Sequence, residues 1–279
     1  MEQYVQTAWG SSDPSRFPGP QPVSIERRHF PLLRYQSYLV CEKTDGVRHL
    51  LVSMPDSGQV CLVNRAFKID PVKIKLAKDT VLDGELVTSK TGKNLFMVYD
   101  AVRAKGEDLR SLPLDQRLER ARQSIKGIIK TAAAPFEIKV KTMWRLEDFR
   151  SFPDLDSFEY ETDGLVFTPV NEPIRMGTHE TMFKWKPRER ITIDFQIKNG
   201  CELWVQDRGH PYKEAELHLS SQRPDLPDGT IVECGYGDLG WFVEKIRTDK
   251  THPNNRRTYF RTLINIRENI TVQDLYQTI

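Results

Sequence analysis

The chain has 279 residues, with 41 Lys and Arg against 39 Asp and Glu, 38% hydrophobic residues and a formal net charge of +2. Its 5 Trp, 9 Tyr and 13 Phe supply enough apolar surface for a core in each of two domains, so disorder is excluded. A charge this close to balance also excludes a uniformly basic surface, leaving any basic site to local clustering.

In chain order, residues 10–23 (GSSDPSRFPGPQPV) are too polar and too broken for a helix or a central strand, and predict an irregular entry segment followed by Arg27 and Arg28. From Tyr38 the runs YLVCEK, HLLVSM, VCLVNR, VLDGELV and FMVYDAV alternate with turn residues such as Pro55-Asp56-Ser57-Gly58, predicting a meander of antiparallel strands. Leu114, Leu118, Ala121, Ile125 and Ile129 recur at steps of three and four behind Pro113, predicting a helix packed on that sheet. A helical patch near Leu146 to Phe152 is followed by strands in FEYETDGLVFTP and TMFKWKP and by the cations Lys184, Lys186, Arg188 and Arg190. Beyond about residue 191 the runs ITIDFQI, CELWVQ, TIVECGYG and WFVEKIR predict a small barrel or sandwich, and RENITVQDLYQTI a last helix.

No apolar run of about 18 residues and no apolar leader is present, so neither a spanning helix nor a membrane partner is expected. Cys41, Cys61, Cys201 and Cys234 are scattered without a C-x-x-C pair and predict free thiols. Gly235-Tyr236-Gly237-Asp238-Leu239-Gly240 matches G-x-G-x-x-G, but the strand-like WFVEK follows it, so a hairpin is expected in place of a dinucleotide site. Gly92-Lys93 lacks the upstream glycine of a P-loop, and the six histidines show no metal-ligand spacing.

The informative segment is Glu42-Lys43-Thr44-Asp45-Gly46-Val47-Arg48, between two apolar strands. Lys43 and Asp45 share a face of an extended chain, a pattern most often seen at solvated turns. Similar pairs recur, however: Asp83 with Glu85, Glu161 with Asp163, and Lys184 with Lys186 opposite Phe183 and Trp185. A buried sheet carrying carboxylates and lysines on one face needs a highly charged ligand with metal ions, and a nucleoside triphosphate fits.

The succession Lys43-Thr44-Asp45-Gly46-Val47-Arg48, LDGELV, FMVYDAV, TDGLVF, FKWKP and Arg247-Thr248-Asp249-Lys250-Thr251-His252-Pro253-Asn254 resembles the six ordered motifs of the covalent nucleotidyltransferases. Within them it is most similar to the eukaryotic-type mRNA capping guanylyltransferases, whose last motif is R-x-D-K-x-x-P-N. The resemblance implies an α+β fold: an antiparallel-sheet, ligase-like nucleotidyltransferase domain over residues 1–190, then an OB-fold barrel over 191–279 whose last helix packs back on the first domain.

It also implies the chemistry. Lys43 would attack the α-phosphorus of GTP, giving lysyl-GMP and pyrophosphate, and the GMP would pass to a 5′-diphosphate RNA end. An ordinary lysine, with a pKa of about 10.4, is protonated at neutral pH, so cations from Lys184, Lys186 and bound Mg²⁺ or Mn²⁺ would favour the free amine. They would also offset charge on the phosphoryl oxygens. The resemblance gives the ribose to Arg48 and Glu85, the guanine face to Tyr99 and the base edge to Lys141, with Lys139 as the alternative. Asp163 and Asp194 would act near the metal and phosphates, and Arg247, Asp249 and Lys250 would reach the β- and γ-phosphates on domain closure. Glu42, Asp45 and Arg65 complete the nucleotide-binding set.

Some of the basic stretch Lys245 to Arg261 would guide RNA phosphates, or stand as a solvated face. The expected partners are 5′-diphosphate RNA, an RNA triphosphatase and a cap methyltransferase as separate proteins or polypeptide regions, and the phosphorylated tail of RNA polymerase II. The expected place is the nucleus, or the cytoplasm or virion for a viral protein. An ATP-dependent polynucleotide ligase and a non-catalytic OB-fold RNA-binding protein are the alternatives, separated by an AMP adduct or by none.

Overall fold

The computed structural model describes residues 1–13, 16–126, 128 and 134–278; Ile129, which the helical pattern includes, lies outside them. The chain forms two compact units, one of Met1–Val23 and Pro31–Trp185, the other of Ser24–Phe30 and Lys186–Thr278.

The first unit begins with α1 (Glu2–Trp9) and β1 (Pro20–Ser24), whose two prolines suit its place at a sheet edge. The chain then runs through α2 (Phe30–Tyr35), β2 (Tyr38–Thr44), β3 (Val47–Ser53), β4 (Val60–Asn64), β5 (Ile69–Pro71), β6 (Thr80–Thr88), β7 (Asn94–Ala104) and β8 (Glu107–Asp108). There follow α3 (Leu114–Ile125), β9 (Glu137–Val140), β10 (Trp144–Arg145), β11 (Thr162–Pro169) and β12 (Gly177–Trp185).

Two sheets result. One has the order β1-β12-β11-β2-β10, and the other β5-β4-β3-β6-β7-β8, with β9 parallel to β7. The expected single meander is therefore corrected: β2 leaves its neighbour β3 and pairs antiparallel with β11. β2 is apolar on both faces (Leu39, Val40 and Cys41 are all buried), so its sequence pattern specifies burial but not a partner. Asp45-Gly46 carries the chain between the sheets. Gly46 is required there for space: a Cβ would lie 2.6 Å from the Leu86 carbonyl oxygen and 2.5 Å from a Val87 methyl.

Alternation on the β3–β7 sheet sends Leu51, Leu62, Leu82 and Phe96 to one face, where Ala121 of α3 packs, and Leu50, Val52, Val63 and Val81 to the other. That second face is covered by Val5, Ala8 and Trp9 of α1, a stripe at helical spacing that precedes the polar entry segment.

The second unit holds β13 (Thr192–Lys198), β14 (Glu202–Asp207), β15 (His210–Glu216), β16 (Ile231–Gly237) and β17 (Gly240–Ile246), then α4 (Arg256–Glu268) and α5 (Val272–Thr278). The strands lie in the order β15-β14-β13-β16-β17, and a single parallel bridge from Leu217 to Trp241 links the segment after β15 to β17. This is an OB-like, partly open barrel. β15, HPYKEAE, has no apolar alternation and escapes a sequence reading because it is an exposed edge. Gly237 pairs with Gly240, so the G-x-G-x-x-G stretch is a two-residue hairpin. In the core Phe195 meets Trp241 and Tyr259 of α4 edge to face. The C-terminal helices meet N-terminal chain within this unit: Asn265 donates to the Ile25 carbonyl at 2.8 Å, and the Arg27 amide to Glu268 at 2.7 Å. Among the described residues no helix is long and apolar enough to cross a membrane.

Candidate active site

Both sheets of the first unit contribute walls to a cavity of about 430 Å³. Lys43 enters it from β2, Arg48 from β3, Glu85 from β6, Tyr99 from β7 and Lys184 from β12, with Arg65 after β4 and Lys141 after β9. Alternation on β12 places Met182 and Lys184 in the cavity and buries Phe183 and Trp185 behind it.

The Lys43 ammonium donates to Asp163 at 2.8 Å. Beside it, Arg48 holds Asp83 bidentately at 3.0 and 2.6 Å and donates to the Pro20 carbonyl at 2.6 Å. The Arg48 guanidinium also lies over the rings of Phe17 and Tyr99, at 5.1 and 5.8 Å. Burial works against the Arg48 charge, but the Asp83 carboxylate outweighs it and raises the arginine's pKa. Burial, above all, pushes the Tyr99 phenol well above its usual range, and its hydroxyl donates to Asp83 at 2.9 Å. Burial likewise pushes the Cys41 thiol, in the cavity wall two residues from Lys43, up to about 12.

Of the two candidate base readers, Lys141 lines the cavity, its amine donating to the Glu42 carbonyl at 2.8 Å and to Thr44 at 3.1 Å, whereas Lys139 pairs with Glu159 at 2.6 Å outside it. Glu42 and Asp45 do not line the cavity. Glu42 is the alternate residue of β2 and turns inward, accepting from Tyr160 at 2.8 Å, while Asp45 is exposed on the turn. Sequence reasoning missed Thr44, which donates to Glu85 and so ties Lys141 to it. It also missed the buried pair of Asp100, in the cavity wall, and Arg117 at 2.7 and 2.9 Å. The available signal was Arg117 itself, a charge on the apolar face of α3 between Leu114 and Leu118.

Lys186, Asp194, Arg247, Asp249 and Lys250 belong to the second unit. There the R-x-D-K-x-x-P-N residues converge on Asp194, which is 5% exposed. Arg247 reaches one of its oxygens at 2.9 Å, Lys250 pairs with the other, and the Asn254 side chain accepts from its amide at 2.9 Å. Arg247 also clamps Asp249 at 2.9 and 2.8 Å and holds that carboxyl well below the usual range.

Among the described residues no group of three or more His, Cys, Asp or Glu is placed to hold a metal ion. Asp163 fits a magnesium site of the kind completed by substrate phosphates and water, which needs only one or two carboxylates. Asp194 as folded does not, because both of its oxygens are engaged by cations.

Comparison with known proteins gives two family matches in chain order: the mRNA capping enzyme catalytic domain over residues 1–188 and the mRNA capping enzyme C-terminal domain over residues 174–276. The chain is 32% identical to the mRNA-capping enzyme subunit alpha of Schizosaccharomyces pombe, covering 95% of this chain and 80% of that one. It is 30% identical to the corresponding subunit of Yarrowia lipolytica, covering 93% and 81%. It spans 50% of the mRNA-capping enzyme of Danio rerio, at 25% identity. Among solved structures, a mycobacterial DNA ligase D complexed with ATP and MES superposes with a TM-score of 0.48 at 12% identity, over 84% of this chain and 95% of that one. With both domains matched over nearly the whole length, the chain belongs to the mRNA capping enzyme family and is a nucleotidyltransferase of the guanylyltransferase class.

Proposed function

We propose that Lys43 is the nucleophile that accepts GMP from GTP and passes it to a 5′-diphosphate RNA end. The Lys43 nitrogen forms a bond to the α-phosphorus, the bond from that phosphorus to the β-bridging oxygen breaks, and pyrophosphate leaves. Asp163 is the group within hydrogen-bond reach to take the amine proton. In the second step a terminal oxygen of the RNA diphosphate attacks the same phosphorus, the nitrogen–phosphorus bond breaks, and the lysine regains its proton. The observation that supports this best is a lysine amine in a nucleotide-sized cavity, hydrogen-bonded to a carboxylate and sharing the cavity with Lys184 and Arg48.

Magnesium or manganese held by Asp163 and the phosphates would supply Lewis-acid stabilisation of the transferring group. Tyr99 we assign to guanine stacking, Lys141 to the base edge, Arg48, Glu85 and Arg65 to the ribose side, and Lys184 with Lys186 to the α-phosphate oxygens. Arg247, Asp249 and Lys250 we assign to the departing pyrophosphate. A nuclear place of action and contact with a phosphorylated polymerase tail are proposed from the resemblance alone.

The test is GMP transfer from isolated adduct to short RNAs ending in 5′-mono-, di- or triphosphate. Transfer to the diphosphate alone, with no phosphate released from the triphosphate, is expected. Transfer to the monophosphate end would instead assign ligase-type chemistry.

A further inference from the structure

We propose that the β4–β5 edge of the first unit is a track for the single-stranded RNA that follows the capped 5′ end, carried by Lys68, Lys73 and Lys75. The inference rests on the RNA-capping reading above. Among the described residues lining the cavity, Gly46, Val47 and Arg65 are the exposed ones and form a solvent-facing lip. The register of β3 with β4, His49 opposite Asn64, sets Val47 and Arg65 near one another at the same end of the strand pair. An RNA whose terminal phosphate reaches Lys43 leaves its following nucleotides at that lip.

From the lip, the β4–β5 edge is basic along its length, with Arg65 and Lys68 at the lip end and Lys73 and Lys75 beyond the opposite end, past Val60. Residues 65–78 carry Arg65, Lys68, Lys73, Lys75 and Lys78 against a single acid, Asp70. The turn displaying Arg65 and Lys68 is built on Asn64, whose side chain accepts from the Ala66 and Lys68 amides at 2.9 and 3.0 Å. β5 is the outermost strand of its sheet, and its pairing with β4 extends to Val72, whose amide donates to Val60 at 2.8 Å. Beyond it Ile74 and Leu76 are buried, at 8% and 7% exposure, and this extended alternation forces Lys73 and Lys75 into solvent. Asp70 does not cancel the row: its pair with Lys68, at 3.3 Å, is between side chains 50% and 70% exposed. A lysine row on an edge strand also discourages sheet-to-sheet pairing, and that is the outcome the test must separate. Nucleic acid is favoured because the row begins at the exposed lip of the cavity that holds Lys43, and a basic groove that tracks a backbone is the sequence-independent part of single-strand binding.

The experiment compares the wild-type chain with the Lys73→Glu/Lys75→Glu and Lys73→Gln/Lys75→Gln double variants, each checked for an unchanged thermal unfolding profile. Anisotropy binding and GMP-transfer kinetics are measured with 5′-diphosphate RNA of about 15 nucleotides and with a 5′-diphosphate dinucleotide. The expected result is normal lysyl-GMP formation, an unchanged KM for the dinucleotide and a KM and Kd for the longer RNA raised about tenfold in the Glu variant. In the Gln variant the slope of log K against log salt should shrink by about 1.4, the loss of two single-strand phosphate contacts. Equal Kd and KM for the longer RNA in all three proteins would overturn the track and leave the lysines as edge protection. Loss of binding to an acidic peptide with RNA binding intact would overturn it in favour of a protein partner. Failure of the wild type to form lysyl-GMP would refute the capping reading instead, and the anisotropy comparison would still decide the track.

Discussion

Asp163 meets Lys43 at 2.8 Å at a break in strand register: the ladder between β2 and β11 slips between Thr162 and Gly164, leaving Asp163 as the extra residue. Bulges re-aim side chains, and here the result is a carboxylate on the proposed nucleophile. Because the Lys43 amine donates to Asp163, attack requires Asp163 to take its proton or to turn to a metal. Asp163→Asn retains the shape and loses both capacities. Adduct formation should slow by about 10²-fold or more with little change in melting temperature, as read from the rate of lysyl-GMP appearance. A wild-type rate would remove Asp163 from the chemistry.

Arg48 and Asp83 form the second prediction. Asp83 is 0% exposed, so Arg48→Ala would strand a buried carboxylate and should destabilise the fold by about 3–5 kcal/mol in urea unfolding. Arg48→Lys should rescue little, because one ammonium cannot reproduce the two-pronged contact with Asp83 and the bond to the Pro20 carbonyl. Full rescue by lysine would show that charge alone matters there.

Gly46→Ala places a methyl 2.6 Å from a backbone carbonyl oxygen that cannot swing aside. The expected cost is about 1–3 kcal/mol, with adduct formation lowered as the strands carrying Lys43 and Arg48 are pushed apart. Unchanged stability and rate would mean that the crossing between the sheets is looser than this packing.

How much of this was legible in the sequence differs from residue to residue. The cavity faces of β6 and β12 follow from period-two alternation, which places Lys184 opposite Phe183 and Trp185 without any tertiary information. Lys43 is singled out by the order of motifs. Its contact with Asp163 was not readable, because one inserted residue in β11 changes which side chains share a face. The same limit hid the partner of β2, whose two apolar faces fit many neighbours, and β15, whose exposed residues follow no pattern. Arg117 with Asp100 and Thr44 with Glu85 are long-range polar pairs that only folding brings together.

Cysteine reactivity gives a pH test. Burial raises the Cys41 thiol to about 12, so below that pH it stays protonated and is not the reactive thiolate, although it lines the cavity. Iodoacetamide at pH 8 should label half-buried Cys201 in the folded protein and spare Cys41, and labelling of Cys41 should appear only on unfolding or well above that pH. Rapid labelling of Cys41 at pH 8, read by peptide mass, would mean that the cavity wall is wetter than this packing.

The central claim, that Lys43 carries GMP, is tested most directly by the intact mass of the protein after incubation with GTP and magnesium, beside ATP and beside Lys43→Ala. A gain of one GMP with GTP only, absent in Lys43→Ala, is the predicted result. A gain of AMP, or a GMP adduct that persists in Lys43→Ala, would contradict it.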